Sequence, residues 1–366
     1  MIIKRLKSFK TNISGVFLIQ NIMEKRTELD KIGEFGLIEQ LTSSFTNHHK
    51  STILGVGDDA AVIDCGDQYQ VVSTDMLVEG VHFNLAYVPL MHLGYKAVIV
   101  NLSDIYAMNA EAEQITVSIA VSNRFSVEAL EEIYSGIKKA CDLYQVDLVG
   151  GDTTSSQSGL VISVTAIGRV DKDKIVYRKG AQENDLLVLT GNVGAAYMGL
   201  QMLEREHQIF LENPEIQPDL AGVDYILERQ LKPEARKDVI HYLHDLGVVP
   251  SAMIDVSDGV VSETMHLAKH SEMGCLIYDE KLPIDHETHR VARDFNLDPS
   301  TCALNGGEDY ELLFAIRQAD YDKIKDSEHM TVIGHFTEKG GSLNIVQRDG
   351  SLIPMEAQGW NHFEQN

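Results

Sequence analysis

The chain has 366 residues and a net charge of −24, from 31 Lys and Arg against 55 Asp and Glu. That length suits two domains with real cores, while the charge argues against nucleic acid or an anionic membrane as a partner. No apolar run approaches the ~18–20 residues of a membrane span, and Cys65, Cys141, Cys275 and Cys302 form no CxxC, so a cytoplasmic protein with incidental thiols is expected rather than a zinc or disulfide scaffold.

Residues 1–32 read as a disordered extension, basic at Lys4, Arg5, Lys7 and Lys10, with no signal-peptide cleavage site after the short apolar run at Gly15 to Ile19. Phe35, Ile38, Leu41 and Phe45 have helical spacing. Gly55-Val56-Gly57-Asp58-Asp59 is a glycine-rich loop with two adjacent carboxylates, followed by a strand from Val71 that ends in Ser73-Thr74-Asp75. Pro89 opens a helix, Leu90 to Met108, which carries Asn101-Leu102-Ser103-Asp104. Gln114 to Ser122 is strand-like, and Ser126 caps a helix with apolar Leu130, Ile133, Ile137 and Cys141. A short strand, Val146 to Val149, leads into an acidic turn, Gly150-Gly151-Asp152-Thr153-Thr154, and Leu160 to Val170 is a strand. A domain boundary is expected near Arg169, dividing 33–169 from 170–366. Beyond it come a strand (Asp185 to Thr190), a turn and helix (Gly191 to Leu203), Asp255-Val256-Ser257-Asp258-Gly259, a strand (Cys275 to Tyr278), and Asn305-Gly306-Gly307-Glu308-Asp309-Tyr310 opening a strand to Ile316. The order is not a clean βαβ alternation, so the expected fold class is α+β with two mixed domains.

The chemistry lies in the acidic residues Asp58, Asp59, Asp75, Asp104, Asp152, Asp255 and Asp258. Singly, each reads as an Asx-turn or helix cap. Brought together, they would repel one another unless cations were bound. Carboxylate and hydroxyl oxygens suit Mg²⁺, which takes its remaining ligands from water and substrate phosphates. The chain has no G-x-x-x-x-G-K-[ST] loop and no protein-kinase motif set. Gly191-Asn192-Val193-Gly194-Ala195 reads better as packing glycines than as a phosphate cradle. Phosphoryl transfer by this chain must therefore rest on metals.

Taken together, Gly55 to Ala60, Ser73 to Phe83, Lys96-Ala97 to Asp104, Gly150 to Thr154, Asp255 to Gly259 and Gly306 to Leu312 closely resemble the thiamine-monophosphate kinase family. That family belongs to the superfamily of aminoimidazole ribonucleotide synthetase and selenophosphate synthetase. The resemblance runs from about Gly33 to Phe363. It implies a homodimer whose N-terminal sheets pack together, with ATP and several Mg²⁺ beside that sheet. It implies direct, in-line transfer of the γ-phosphoryl group to thiamine monophosphate, the last step of thiamine diphosphate formation, with no side-chain nucleophile. The implied metal ligands are Asp59, Ser73, Thr74, Asp75, Asp104, Asp152, Asp255 and Asp258. The implied ATP contacts are Tyr134, Gly151, Asp152, Arg178 and Ser257, and the implied substrate contacts are His82, Glu308 and Trp360.

Each of the last groups has a plainer alternative. Arg178 is either a solvated charge or a guanidinium fork on phosphate. Tyr134, next to the apolar stripe of its helix, is either core or a nucleotide contact. His82 taken alone reads as structural, and Trp360 is either an apolar plug or a stacking surface. Selenophosphate synthetase would carry a reactive Cys before the first glycine loop, and none precedes Gly55; the hydrogenase-maturation relative would end in Cys, whereas this chain ends in Asn366. A non-catalytic sensor of Mg²⁺ and nucleotide is the reading outside enzymology.

Overall fold

A computed structural model describes residues 32–356 of the chain. Helix α1 (Gly33–Thr42) belongs to a separate compact unit; its Ile38 and Leu41, and Phe45 just beyond it, are exposed. In the main unit, alternating apolar residues build the first sheet. In Val161–Asp171, for example, Ile162, Val164, Ala166 and Val170 are buried and their neighbours are not, the two-residue period of a half-covered strand.

The first sheet contains β1 (Thr52–Leu54), β2 (Ala61–Asp64), β3 (Gln68–Val78), β4 (Glu111–Val121), β5 (Asp147–Ser155) and β6 (Val161–Asp171). Its strand order is β1-β2-β3-β6-β4-β5, antiparallel except for the β4–β5 pair. Helices α2 (Leu90–Ala107) and α3 (Val127–Tyr144) pack on each other, and α2 also packs on β3, β4 and β6. Ser126 caps α3 as its sequence implies, accepting from the Ala129 amide at 3.3 Å.

The remainder is β7 (Leu186–Thr190), α4 (Ala195–Glu212), α5 (Asp224–Leu231), α6 (Lys237–Asp245), β8 (Ala252–Asp255), α7 (Val260–Ser271), β9 (Met273–Tyr278), α8 (His286–Asp294), α9 (Pro299–Asn305), β10 (Leu312–Ile316), α10 (Tyr321–Ile324), β11 (Met330–Lys339), β12 (Leu343–Val346) and β13 (Leu352–Pro354). These strands form a second sheet, β13-β12-β9-β11-β7-β10-β8, in which only β9–β12 is parallel. The architecture is mixed α and β with two sheets, the class expected. Among the described residues no helix is long and apolar enough to cross a membrane.

The core explains why β10 is a continuous apolar run. Leu312 and Phe314 face the core shared with α2 and the first sheet, while Leu313 and Ala315 face a second core on the other side. A strand covered on both faces has no reason to alternate. Helix α2 is likewise buried nearly all round and also touches β8, so it carries its polar residues into the interior, where each must find a partner.

Two strand ends differ from expectation. The strand through Ser73-Thr74-Asp75 does not stop there but continues to Val78, paired with β6 throughout. Gly150-Gly151-Asp152 is no turn either: it lies inside β5, in register with Thr116, Val117 and Ser118 of β4. Gly151 has φ +153, and a Cβ there would sit 1.8 Å from the Val117 carbonyl oxygen. The glycine thus serves close strand approach rather than reversal.

The α2–α3 contact depends on a reciprocal pair of glycines. A Cβ on Gly94 would meet the Ile133 carbonyl oxygen at 1.9 Å, and one on Gly136 would meet that of Met91 at 1.9 Å. An open helical site gains roughly 0.5–1 kcal/mol from Gly→Ala. Here backbone overlap dominates, so Gly94→Ala or Gly136→Ala should destabilise by about 3 kcal/mol or more. Urea unfolding measures this; an unchanged or raised midpoint would contradict the packing.

Candidate active site

Three elements bring three carboxylates together. The β1–β2 loop supplies Asp59, α2 supplies Asp104, and the last residue of β8 is Asp255. One carboxylate oxygen from each lies within 4.8 Å of the other two. Hydroxyls support them: Ser73 on β3 donates a short hydrogen bond to Asp104 Oδ2, and Ser103 Oγ donates to Asp255 Oδ2 at 2.6 Å. Asn101, one helical turn before Asp104, accepts from the Asp75 amide at 2.8 Å and anchors itself on the Ala97 carbonyl.

Arg178 closes the cluster. Its Nε and Nη2 donate to Asp59 Oδ1 at 3.1 and 2.5 Å, and its backbone amide donates to both oxygens of Asp58 at 3.2 Å. Asp59 Oδ2 is buried and has no hydrogen-bond partner. A buried carboxylate with one orphaned oxygen, grouped with two further carboxylates, is what a divalent cation with oxygen ligands would satisfy. The residues therefore fit Mg²⁺.

The electrostatics agree. Burial, then the charge of Asp59, pushes Asp58 up to about 7. Asp255 is raised to about 7, by burial first and Asp59 second. Asp104 is raised well above the usual carboxylate range by burial and by Asp75, Asp255 and Asp59. Burial raises Asp59 too, against the pull of Arg178.

The other expected residues fall in several places. Asp75 shares the Ser73 face of β3 and adds its charge to Asp104. Thr74 points to the opposite face, as the two-residue period requires; its hydroxyl donates to the Val164 carbonyl at 3.0 Å. Asp152 lies in a row with Ser118, Ser163 and Met76 across the sheet, three strand spacings or about 14 Å from β3. The fold of this chain thus does not bring the Thr74 hydroxyl, Gly151 or Asp152 to the Asp59–Asp104–Asp255 point. Ser257 Oγ and the Asp258 amide both donate to Glu263 Oε1, at 3.4 and 3.0 Å. Tyr134 is half-exposed on α3, so core packing is not its role. His82 Nδ1 accepts from the Val78 amide at 3.0 Å and shapes the turn after β3. Trp360 lies outside the described residues.

Glu308 sits in the loop before β10. Lys96 of α2 lies 2.9 Å from Oε1, and Gln230 of α5 donates to Oε2 at 2.8 Å. Sequence reasoning did not single out Lys96, Gln230 or Glu263 as site residues. Glu263 had one legible cue: it is an acid in the first turn of a helix that follows Asp258-Gly259.

With this geometry in place, comparison with known proteins is direct. Residues 57–170 match the family described as AIR synthase related protein, N-terminal domain. The chain is 34% identical over 337 residues to the thiamine-monophosphate kinase of Bacillus subtilis (strain 168), covering 90% of this chain and 99% of that one. Against the thiamine-monophosphate kinase of Aquifex aeolicus (strain VF5) it is 33% identical over 336 residues, covering 92% and 99%. A solved structure, AaThiL complexed with AMPPCP and TMP, superposes with a TM-score of 0.78 at 30% identity, covering 92% of this chain and 99% of that one. The fold and site define a member of the AIR synthase-related class. Within that class, the chain belongs to the thiamine-monophosphate kinase family.

The carboxylates carry a sign that can be tested. Asp255 and Asp104 keep their protons to higher pH when folded than when unfolded. The contribution of Asp255 is complete below about pH 4 and is lost as pH rises toward about 7, and that of Asp104 is lost in the same direction as pH rises. Metal-free protein should therefore lose stability between pH 5 and 7. Asp255→Asn should recover on the order of 2 kcal/mol at pH 8 while abolishing any Mg²⁺-dependent rise in Tm. Thermal melts at both pH values, with EDTA or Mg²⁺, provide the check. A variant that loses stability, or keeps the full Mg²⁺ response, would contradict the cluster's role.

Proposed function

We propose that this chain transfers the γ-phosphoryl group of ATP to the phosphate of thiamine monophosphate, giving thiamine diphosphate and ADP. The observation that carries the reading is the meeting of Asp59, Asp104 and Asp255, with Asp59 Oδ2 buried and unpartnered, in a chain about one-third identical to thiamine-monophosphate kinases along nearly their whole length. The complex of a structural neighbour with AMPPCP, an ATP analogue, and TMP supports ATP as co-substrate and thiamine monophosphate as acceptor. The domain roles follow the same reading: residues 33–169 form the N-terminal ATP- and metal-binding domain, and 170–366 form the C-terminal domain, which adds Arg178, Asp255, Ser257 and Asp258 to the same pocket. The enzyme is assigned to the cytoplasm.

A phosphate oxygen of the acceptor is already anionic near neutral pH, so the reaction needs neither a general base nor a side-chain nucleophile. Catalysis is positioning and neutralisation of charge. Bound Mg²⁺ would supply the positive charge that this acidic pocket lacks. Asp59, Asp104 and Asp255 would hold it, with Ser73 and Ser103 fixing carboxylate orientation and Asp75 adjacent. Arg178 grips phosphate with a fork that now spans Asp59. Ser257 and Asp258 border the same pocket, and Tyr134, Gly151 and Asp152 are assigned to nucleotide or metal farther along the sheet.

We also propose a homodimer through the first sheet. Every residue of β5 is exposed and the strand is paired on one side only; Leu148, Val149 and Met76 add exposed apolar surface. A bare nine-residue edge invites pairing. Light scattering should give twice the chain mass at micromolar concentration; a monomer there would end this part of the reading.

The direct test is product formation. Purified protein with ATP, Mg²⁺ and thiamine monophosphate should yield thiamine diphosphate and ADP in equal amounts, and EDTA should stop it. Asp75→Asn should cut turnover by roughly 10²–10³-fold with folding intact. Rapid quench with γ-labelled ATP should trap no phosphoenzyme. Binding of ATP without thiamine diphosphate would make the chain a sensor instead, and an accumulating covalent species would exclude direct transfer.

A further inference from the structure

The loop from Gly306 to Glu311 is held in an unusual shape. Glu308 has φ +65 and Tyr310 φ +51, both left-handed values that side chains with a Cβ resist. Such strain persists only where the surroundings over-determine it. Here each residue is tied down. The Glu308 amide donates to the Ser257 carbonyl at 2.7 Å, and the Tyr310 amide donates to that of Val256 at 2.9 Å. Asp309 accepts from the Gly194 and Ala196 amides at the start of α4. Glu311 takes Arg229 at 2.9 Å and Arg236 in a shorter pair.

Glu308 differs from its neighbours in what it faces. Asp309 and Glu311 are sealed, but the Glu308 side chain remains 28% exposed while its partner Lys96 is 8% exposed. Both of its oxygens are gripped, Oε1 by Lys96 and Oε2 by Gln230, and Lys96 Nζ also donates to the Gln230 carbonyl at 3.2 Å. A cation and an amide inside the protein thus aim a carboxylate outward. Lys96 and Asp104 lie eight residues apart on α2, about 12 Å along its axis. One rigid helix therefore sets the separation between the metal-facing carboxylates and the outward-facing Glu308.

We propose that Lys96 and Gln230 are positioning residues that fix Glu308 as an anion against the ring-bearing, permanently cationic end of the substrate, while its phosphate lies at the aspartate cluster. This rests on the reading of Glu308 as a substrate contact. Glu308 touches the substrate; Lys96 and Gln230 act through it. A bridge that merely held the two sheets together would affect all substrates alike, whereas a positioning pair affects one end of one substrate.

The experiment is a split of Michaelis constants in the full-length enzyme. Lys96→Met should raise KM for thiamine monophosphate about tenfold or more, with KM for ATP and kcat changed less than about twofold, the signature of lost uniform binding. Lys96→Arg should restore most of the affinity, and Gln230→Leu should give a smaller rise of the same kind. If Lys96→Met fails to fold, Gln230→Leu carries the same test. An unchanged KM for thiamine monophosphate, or equal losses for both substrates, would overturn the proposal. Glu308→Gln separates the layers. If it raises that KM while the Lys96 and Gln230 variants do not, only the positioning claim falls. If it leaves KM unchanged, the reading of Glu308 falls, and this inference with it.

Discussion

Mutual repulsion among buried carboxylates is the constraint on which the rest of this structure depends. Asp59, Asp104 and Asp255 crowd to within 4.8 Å of one another in a largely desolvated pocket, with Asp58 and Asp75 close by. Left to themselves such groups shift their pKa values upward and weaken the fold at neutral pH. The chain tolerates that cost because the surrounding framework is rigid. Helix α2 is buried nearly all round, locked to α3 through paired glycines, and placed between two sheets that share one apolar core.

That framework also explains why a chain of net charge −24 can handle a triphosphate. The Arg at the pocket, Arg178, is engaged by Asp59 and Asp58. Under the proposed function, bound Mg²⁺ would take the place that a lysine-bearing glycine loop holds in other phosphotransferases. The same helix that carries Asn101, Ser103 and Asp104 carries Lys96, so the aspartate cluster and Glu308 are tied to one rigid element.

Local chemistry was legible in the sequence; long-range pairing was not. Ser126 as a cap and the acidic loop at Asp58-Asp59 emerged as read, and the strand read over Leu160 to Val170 lies at Val161–Asp171; all three depend on neighbouring residues. The glycines at 150 and 151 signal a turn locally, and only the parallel partner β4 makes them part of a strand. Ser73-Thr74-Asp75 looks like one ligand run, but the pleat sends Thr74 to the other face. Tyr134 follows a core residue yet turns toward solvent. The partners of Glu308 lie 212 and 78 residues away in sequence, and the Asp104 and Asp255 sites join across more than a hundred residues. No local pattern encodes such contacts.

Everything at this site depends on the aspartates forming one divalent-cation site. Mn²⁺ shares the oxygen preference of Mg²⁺ and is visible by electron paramagnetic resonance. Titration of the protein with Mn²⁺ should show saturable loss of the free-ion signal, and Asp104→Asn should abolish the tightest of those sites while the fold is kept. Equal Mn²⁺ binding by the parent chain and that variant would contradict the central claim.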